Sequence, residues 1–395
     1  IISTMSKIVA INFHEEFEYK NIKFTAYNAG HVIGACMFLI NINGTKILYT
    51  GDYSREEDIH IRPAEIPNSQ IDVLIVESTY GVKTNEPREK RESYFLETVE
   101  KIVKRNGKCL LPVFVLGRAQ ELLLLLEEFW SKKSELHDIP IYYASTLMAK
   151  CMQIFQMYMN MMGKTIQDKM KSGINPFDFK FISMMKNSDN VDNFDKSMVV
   201  MASPGMLQKG LSRSLFQKWC HDERNGILFT GYCVENTLAR DILNGKKEFK
   251  KDNGQIGTIK ITVEYVSFSA HADYDQTKSF IEKLKPKLVV LVHGEKHEAL
   301  RLKKELENNF GNSIKFEAPS NWQTVEMMFE KKTQCKIFDN YSNEYNKQEI
   351  RDVKGELIDS SNLDFYVEID HSGIIFKKES KFYVCDENNL NNLKI

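Results

Sequence analysis

Two histidines close two apolar runs early in the last third of this 395-residue chain. Val263 to Phe268 reads as a strand that ends in Ser269-Ala270-His271-Ala272-Asp273. Phe280, Ile281 and Leu284 then fall at helical spacing, and Pro286 stops that helix. Leu288 to Val292 is almost all β-branched or Leu, as in a strand buried on both faces, and ends in His293-Gly294-Glu295. This strand–helix–strand unit delivers a histidine at each strand end, where open α/β sheets bind ligands. Two imidazoles there are candidates for a metal ligand and an acid–base group. For either histidine alone, an ordinary strand-end position is the better reading. The pair gains weight from three strand ends far upstream.

Ile22 to Tyr27 reads as a strand that breaks at Asn28-Ala29-Gly30-His31-Val32-Ile33-Gly34-Ala35. The glycines on either side of His31 allow a tight backbone path. Cys36 to Ile42 and Thr45 to Tyr49 flank Asn43-Gly44, a hairpin signal, and the second run enters Thr50-Gly51-Asp52. Ile71 to Val76 is a further buried strand, ending in Glu77-Ser78-Thr79-Tyr80-Gly81. Three strand ends therefore carry His31, Asp52 and Glu77. Imidazole nitrogen and carboxylate oxygen suit a hard or borderline divalent metal. A carboxylate can bridge two ions, and ions about 3.5–4 Å apart clamp the attacking and leaving oxygens of phosphoryl displacement. Singly, Asp52 reads better as a turn cap and Glu77 as a helix cap.

The elements that must hold these groups alternate in type. Lys7 to Phe13 alternates as a first strand. Glu86 to Gly107 is charged and helical in period, and Lys108 to Val115 is a buried strand. Gly117-Arg118 opens a helix to Trp130, where Arg118 reads either as a phosphate contact or as a capping arginine. Ile139 to Ala144 precedes Ser145-Thr146, placed to cap a Met-rich helix whose methionines fill core. Lys180 to Met184, Met198 to Ala202 and Gly226 to Gly231 read as strands, with a helix at 211–221 and a charged surface connection at Lys246 to Asp252. Such alternation implies a parallel sheet wrapped by helices.

Composition bounds the function. Hydrophobic content of 42% and charged content of 27% are those of a globular protein long enough for two domains. No apolar run reaches membrane-spanning length. Seven cysteines without a C-x-x-C pair argue against a disulfide framework or cysteine zinc knuckle, and point to a reducing compartment. A formal net charge of −1 leaves RNA binding to a local cleft.

The motifs A-G-H-V-I-G-A (29–35), Y-T-G-D-Y-S-R (49–55) and E-S-T-Y-G (77–81) resemble the later motifs of the metallo-β-lactamase fold. S-F-S-A-H-A-D (267–273) and L-V-H-G-E (291–295) resemble the closing motifs of its β-CASP nuclease branch. L-L-P-V-F-V-L-G-R-A-Q-E (110–121), A-S-P-G-M (202–206) and G-Y-C-V-E-N-T-L-A (231–239) match that branch too, over about residues 5–330. E-L-H-D-I-P-I-Y-Y-A-S (135–145) and L-S-R-S-L-F (211–216) are most similar to the endonucleases of mRNA 3′-end formation, rather than to the related Integrator endonuclease.

The resemblance implies an αββα sandwich, incomplete at the N-terminus, with an inserted β-CASP α/β domain. It implies two zinc ions, with His31 on one, His293 on the other and Asp52 bridging both. Glu77 and His271 become a catalytic pair, the carboxylate orienting the imidazole and raising its basicity. Arg118, Ser203, Gly231 and Tyr232 are the expected substrate contacts. The expected division is 1–82 (first part of the metallo-β-lactamase domain), 83–262 (insert), 263–333 (return segment) and 334–395 (start of a C-terminal partner-binding region). That last region reads as strands at Asp364 to Ile369, Gly373 to Phe376 and Lys381 to Cys385, or as a tail. The insert is expected to cover the metals and leave a cleft for single-stranded RNA; its composition shows no aromatic stacking platform. Asn236 stands where the family has Gly, in a loop that Asn can support.

One departure is large. The branch's H-x-H-x-D-H loop, expected upstream of His31, is absent; His14, in H-E-E-F, is the nearby histidine. Three ligands for two ions fall short of the four that each zinc takes, so the chain alone is expected to bind metal weakly and be inactive, as a piece lacking its N-terminal part. The function implied is zinc-dependent endoribonucleolytic cleavage of pre-mRNA in the nucleus. The implied partners are other subunits of a cleavage and polyadenylation complex, including a non-catalytic paralogue, with no membrane and no DNA partner. The alternatives are an Integrator-type endonuclease, a 5′ exonuclease of the branch, or a non-catalytic scaffold.

Overall fold

Runs of Val, Ile, Leu and Met that can be buried from both sides set the two large sheets of this protein. A computed structural model describes residues 2–185, 196–268, 270–328, 335–337, 374–378 and 381–385. The chain forms two units, residues 1–41 with 46–326, and residues 42–45 with 327–395.

The first unit holds a seven-stranded sheet in which Glu16–Tyr19, Ile22–Asn28, Cys36–Ile42, Thr45–Tyr49, Val73–Glu77, Leu288–Val292 and Lys315–Glu317 lie side by side in that order. The last four run parallel. Leu48, Leu74, Val76, Val289 and Leu291 bury one face of it. Phe280, Ile281 and Leu284 of helix Tyr274–Leu284, and Leu302 and Leu306 of helix Lys296–Phe310, cover that face.

A six-stranded parallel sheet follows the order Thr262–Tyr265, Gly226–Phe229, Lys108–Pro112, Met198–Ala202, Ile141–Ala144 and Ile182–Met184. Alternate residues leave opposite faces of a strand. Cys109, Leu111, Val199, Met201 and Leu228 therefore pack under helices Arg88–Lys104 and Arg118–Lys132, around Phe95 and Trp130. Leu110, Val200 and Ile227 face the opposite cluster, with Phe216 and Trp219 of helix Gly210–Trp219. The mixed α/β architecture with a helix-wrapped parallel sheet is the one expected. Ser145 caps helix Thr146–Met157 through the Met148 N–H, and Met148, Met152 and Met162 are buried core.

Several expectations need correction. Lys7 to Phe13 forms no strand: Ile8 and Val9 are exposed, and only Phe13 bridges, to Ala26. Alternation without a face to bury does not make a strand. The strand forms at Glu16–Tyr19 instead, where Phe17 pairs with Phe24 and their rings stack at 5.7 Å. The two strands of the strand–helix–strand unit belong to different sheets, since Thr262–Tyr265 pairs with Gly226–Phe229. The connection at 246–252 contains a strand, Glu248–Lys250, paired with Ile256–Thr258. Phe249 buries itself against Phe216 there, an anchor that its charged neighbours conceal in the sequence.

The second unit contains a three-stranded sheet ordered Cys335–Ile337, Lys381–Cys385, Ile374–Lys378. The expected strands at Gly373 to Phe376 and Lys381 to Cys385 correspond to Ile374–Lys378 and Lys381–Cys385. Asp364 to Ile369 lies outside the described residues.

A buried ionic network joins the loop after Asp52 to the second sheet's helices. Arg118 Nη1 donates to Asp58 Oδ2 at 2.6 Å and to Glu121 Oε2 at 2.7 Å. Arg88 Nη2 donates to Glu121 Oε1 at 2.6 Å. Burial pushes His60 down to about 4, so its ring is neutral, and Nε2–H donates to the Gly117 carbonyl at 3.1 Å. Arg62 adds bonds to the carbonyls of Met162 at 2.9 Å and Asn160 at 2.7 Å. Glu121 is 1% exposed, so removing its carboxylate leaves the buried Arg118 guanidinium with Asp58 as its one carboxylate and takes a partner from Arg88. Glu121→Ala is expected to cost roughly 3–5 kcal/mol of folding stability, read as a lower urea midpoint; a loss under about 1 kcal/mol would show that the network is solvent-compensated.

Candidate active site

Parallel neighbours end at the same edge of a sheet, and this brings the acidic and basic groups together. Val73–Glu77 and Leu288–Val292 are in register with Glu77 opposite Val292, so Glu77 and His293 emerge side by side. Thr45–Tyr49 is the next strand, and Asp52 follows it. His31 and His293 both have left-handed backbones, with φ of 57° and 47°. Such conformations in non-glycine residues are costly and are held by their surroundings. For His293 the hold is the Ser78 N–H on its carbonyl at 3.0 Å, with Ser78 Oγ–H on the Val292 carbonyl at 2.9 Å. Around His31, the Ala29 N–H meets the Ala35 carbonyl at 3.1 Å.

Glu77 is 2% exposed and its carboxylate has three donors. Oε1 accepts the Tyr53 N–H at 2.8 Å; Oε2 accepts the Thr79 hydroxyl at 2.5 Å and His271 Nδ1–H at 2.7 Å. Burial works against protonation of His271, but the hydrogen bond to Glu77 and its charge outweigh it and raise the imidazole above its ordinary value. The His271 ring lies 4.8 Å from that of His31 and stacks at 5.7 Å on that of His293. His31 donates Nδ1–H to the Ala270 carbonyl at 2.8 Å, which leaves the Nε2 lone pair facing Asp52 Oδ2 at 3.8 Å. Burial lowers the His31 value, so this ring is neutral as a ligand must be. On the other side, His293 Nδ1 is 3.4 Å from Asp52 Oδ1 and 3.1 Å from Thr79 Oγ1.

The donor set fits a metal. A carboxylate presents one oxygen to each of two imidazoles, and one imidazole is fixed by a carbonyl on its far nitrogen, the usual support of a metal-bound histidine. Tetrahedral zinc at about 2.0–2.2 Å keeps neighbouring N and O donors roughly 3.4 Å apart. Both imidazole–carboxylate separations lie near that. Donor atoms of Asp52, Glu77, His271 and His293 all fall within 4.8 Å of one another.

These groups border a cavity of about 490 Å³ between the two large sheets. His31, Asp52, His271 and His293 line it, and Glu77 stands behind them. Of the expected substrate contacts, Gly231 and Tyr232 line the cavity and Ser203 does not; Gly205 and Met206 of the same turn do. The Ser203 carbonyl instead accepts the Ser212 N–H at 3.2 Å. Arg118 borders the cavity, but Asp58 and Glu121 hold its Nη1, so it is a buried tie rather than a loose surface arginine. Tyr232 donates its hydroxyl to Glu295 at 2.9 Å across the cavity, and burial with that carboxylate pushes it up to about 12. Thr79 and Glu295 were missed as functional residues, although both stand inside motifs read for their neighbours. Thr79 is the link that sequence could have offered, a hydroxyl two residues beyond an acid at a strand end.

Three family models match the chain. Residues 3–79 match the metallo-β-lactamase superfamily domain, 119–242 the β-CASP domain, and 257–319 the Zn-dependent metallo-hydrolase RNA specificity domain. The chain carries metallo-β-lactamase and β-CASP domains. It is 50% identical over 339 residues to cleavage and polyadenylation specificity factor 73 of Drosophila melanogaster, covering 85% of this chain and 49% of that protein. Identity to cleavage and polyadenylation specificity factor subunit 3 of Dictyostelium discoideum is 49% over 328 residues, covering 82% of this chain and 42% of that protein. Endoribonuclease YSH1 of Saccharomyces cerevisiae is 40% identical over 402 residues, covering 96% of this chain and 51% of that protein. The chain spans about half the length of the curated relatives it matches. A metal cofactor goes with a β-CASP metallo-hydrolase, and the donors above fit one.

Gly30 has φ of 68°, and a Cβ there would lie 2.4 Å from the Ser54 carbonyl oxygen. Gly30→Ala is expected to displace the His31 loop and cost at least about 2 kcal/mol of stability in urea unfolding; an unchanged midpoint would show that this loop tolerates a shift.

Proposed function

We propose that this β-CASP chain is the catalytic part of a zinc-dependent endoribonuclease that cuts pre-mRNA at its 3′-end processing site. The observation that carries the reading is the buried Glu77 carboxylate bonded to His271 at 2.7 Å beside the His31–Asp52–His293 donor set. The names of the relatives support it. Two zinc ions are proposed, which His31, Asp52 and His293 would help to hold. Zinc there would supply Lewis-acid stabilisation of the phosphodiester and a more acidic water as nucleophile.

The chain's own groups do the rest. Glu77 keeps His271 oriented and favours its imidazolium. His271 gives a proton to the leaving 3′ oxygen as the phosphorus–oxygen bond breaks, so the upstream fragment ends in a 3′-hydroxyl and the downstream one in a 5′-phosphate. Neutral His31 offers its Nε2 lone pair, and the Tyr232–Glu295 bond closes one side of the cavity. Arg118 serves as the tie that sets this wall. The substrate is single-stranded RNA, the setting nuclear, and the partners are subunits of a cleavage and polyadenylation complex, including a non-catalytic paralogue, that choose the site. We keep the division 1–82, 83–262, 263–333 and 334–395 as part of the proposal, with Thr262–Tyr265 attached to the insert's sheet.

A circular single-stranded RNA tests the reaction class. The zinc-loaded chain, joined to an H-x-H-x-D-H loop, is expected to linearise it. Stepwise loss of a 5′-phosphorylated linear RNA with the circle intact would make the enzyme an exonuclease, and no cleavage of either would favour the scaffold alternative. Asp52→Ala is expected to weaken zinc binding at least ~10-fold in chelator competition. His271→Ala and Glu77→Gln are expected to lower cleavage roughly 10²–10⁴-fold with zinc content unchanged; equal activity in His271→Ala removes the imidazole from the proton transfer.

A further inference from the structure

The cavity has a polar floor and an apolar rim. His31, Asp52, His271, His293 and Glu295 make the floor, while Phe114, Leu116 and Val234 stand at the rim with 58%, 43% and 48% of their surface exposed. Exposed apolar side chains that line one cavity suit a contact surface. Five tyrosine and phenylalanine rings line this cavity: Tyr80, Phe114, Phe229, Tyr232 and Phe268. Tyr80, Phe229 and Phe268 are 7%, 1% and 2% exposed, so they are wall. Tyr232 is held twice, edge-on to Tyr80 at 6.0 Å and through its hydroxyl to Glu295. Phe114 is the ring left open. It sits in the loop between strand Lys108–Pro112 and helix Arg118–Lys132. Its Cδ2 edge lies beside Gly205, where an added Cβ would stand at 3.6 Å, so one side of the ring rests on bare backbone.

From this we infer that Phe114 is a base-stacking residue, taking the face of one unpaired nucleobase next to the phosphate that the floor binds. This rests on the endoribonuclease reading and names a substrate-positioning residue within it. A nucleotide is itself divided as the cavity is, an anionic phosphate suited to the cation site and an aromatic base suited to an open ring. Stacking is indifferent to base identity because every base has a π-face. Phe114 therefore positions RNA without choosing its sequence, and favours unpaired strands, whose bases are free to leave their neighbours.

The test uses zinc-loaded protein in a His271→Ala background, so that RNA meets the cation site without being cut, and measures affinity by fluorescence anisotropy; wild type below means Phe114 in that background. A short intact single-stranded RNA is compared with a set of the same RNA that carries a single abasic nucleotide moved along it. Phe114→Ala is expected to weaken intact RNA roughly 5- to 100-fold. One abasic position should abolish the difference between wild type and Phe114→Ala, Phe114→Trp should restore binding, and Phe114→Leu should not. Thermal unfolding of the variants should match wild type, because the side chain is exposed. Equal binding by Phe114→Ala, or an equal loss on every abasic RNA, overturns the stacking role while RNA binding by the wild type leaves the endoribonuclease reading standing. Failure of the wild type to bind any single-stranded RNA overturns both.

Discussion

The site depends on one buried carboxylate whose charge must be answered on every side. Glu77 is almost sealed from water, and an ionised acid in that position is tolerable only with donors on its oxygens. It has them from three separate places: the Tyr53 backbone beside Asp52, the Thr79 hydroxyl next to His293, and the His271 ring. Each bond that satisfies Glu77 also fixes a loop that carries another functional group. The electrostatic cost of burying the acid is thus converted into mutual placement of groups far apart in the chain, such as Glu77 and His271 at 194 residues. A surface glutamate could not do this, because water would replace any donor that moved.

Parallel pairing makes that arrangement possible. Antiparallel neighbours would send the ends of adjacent strands to opposite edges. In the central strands here, Thr45–Tyr49, Val73–Glu77 and Leu288–Val292 all finish at one edge, so Asp52, Glu77 and His293 arrive together. The last correction is local. Left-handed backbone at His31 and His293 turns each ring back toward Asp52, and close approach at Gly30 and Gly294, where a Cβ would meet the Ser54 and Ser78 carbonyl oxygens at 2.4 and 2.7 Å, keeps those turns tight. Strain is concentrated at the candidate ligands, where placement matters most.

Much of this was legible in the sequence because strand ends are. Apolar runs that stop at His31, Asp52, Glu77 and His293 announce both the strand and its functional terminus. What periodicity cannot report is which sheet a strand joins. Val263 and Leu288 read as the two strands of one unit, yet they pair in different sheets, because hydrogen-bond partners are chosen by tertiary packing. Arg118 shows the same limit for charge. Beside a helix start it looks open to phosphate, and its true partners include Asp58, 60 residues away. Phe249 lay hidden among lysines, and Phe114 within a run that reads as plain strand core. Composition averages over such single side chains; only the fold shows which one is turned outward.

The two large sheets divide the labour by polarity. The first sheet contributes His31, Asp52, Glu77 and His293, fixed through buried hydrogen bonds and parallel register, while His271 arrives from beyond Thr262–Tyr265 of the second sheet. The inserted sheet contributes most of the apolar cavity wall, from the loops after Lys108–Pro112, Met198–Ala202 and Gly226–Phe229. These too are the ends of parallel strands, so two sheets present their carboxyl edges to one cavity. Arg118, Glu121, Asp58 and His60 tie the segment after Asp52 to the loop that carries Phe114. Any displacement of the insert must therefore pull on the strand end that holds Asp52. Positioning of substrate and positioning of metal ligands are consequently not independent properties of this fold, since the same buried ions set both.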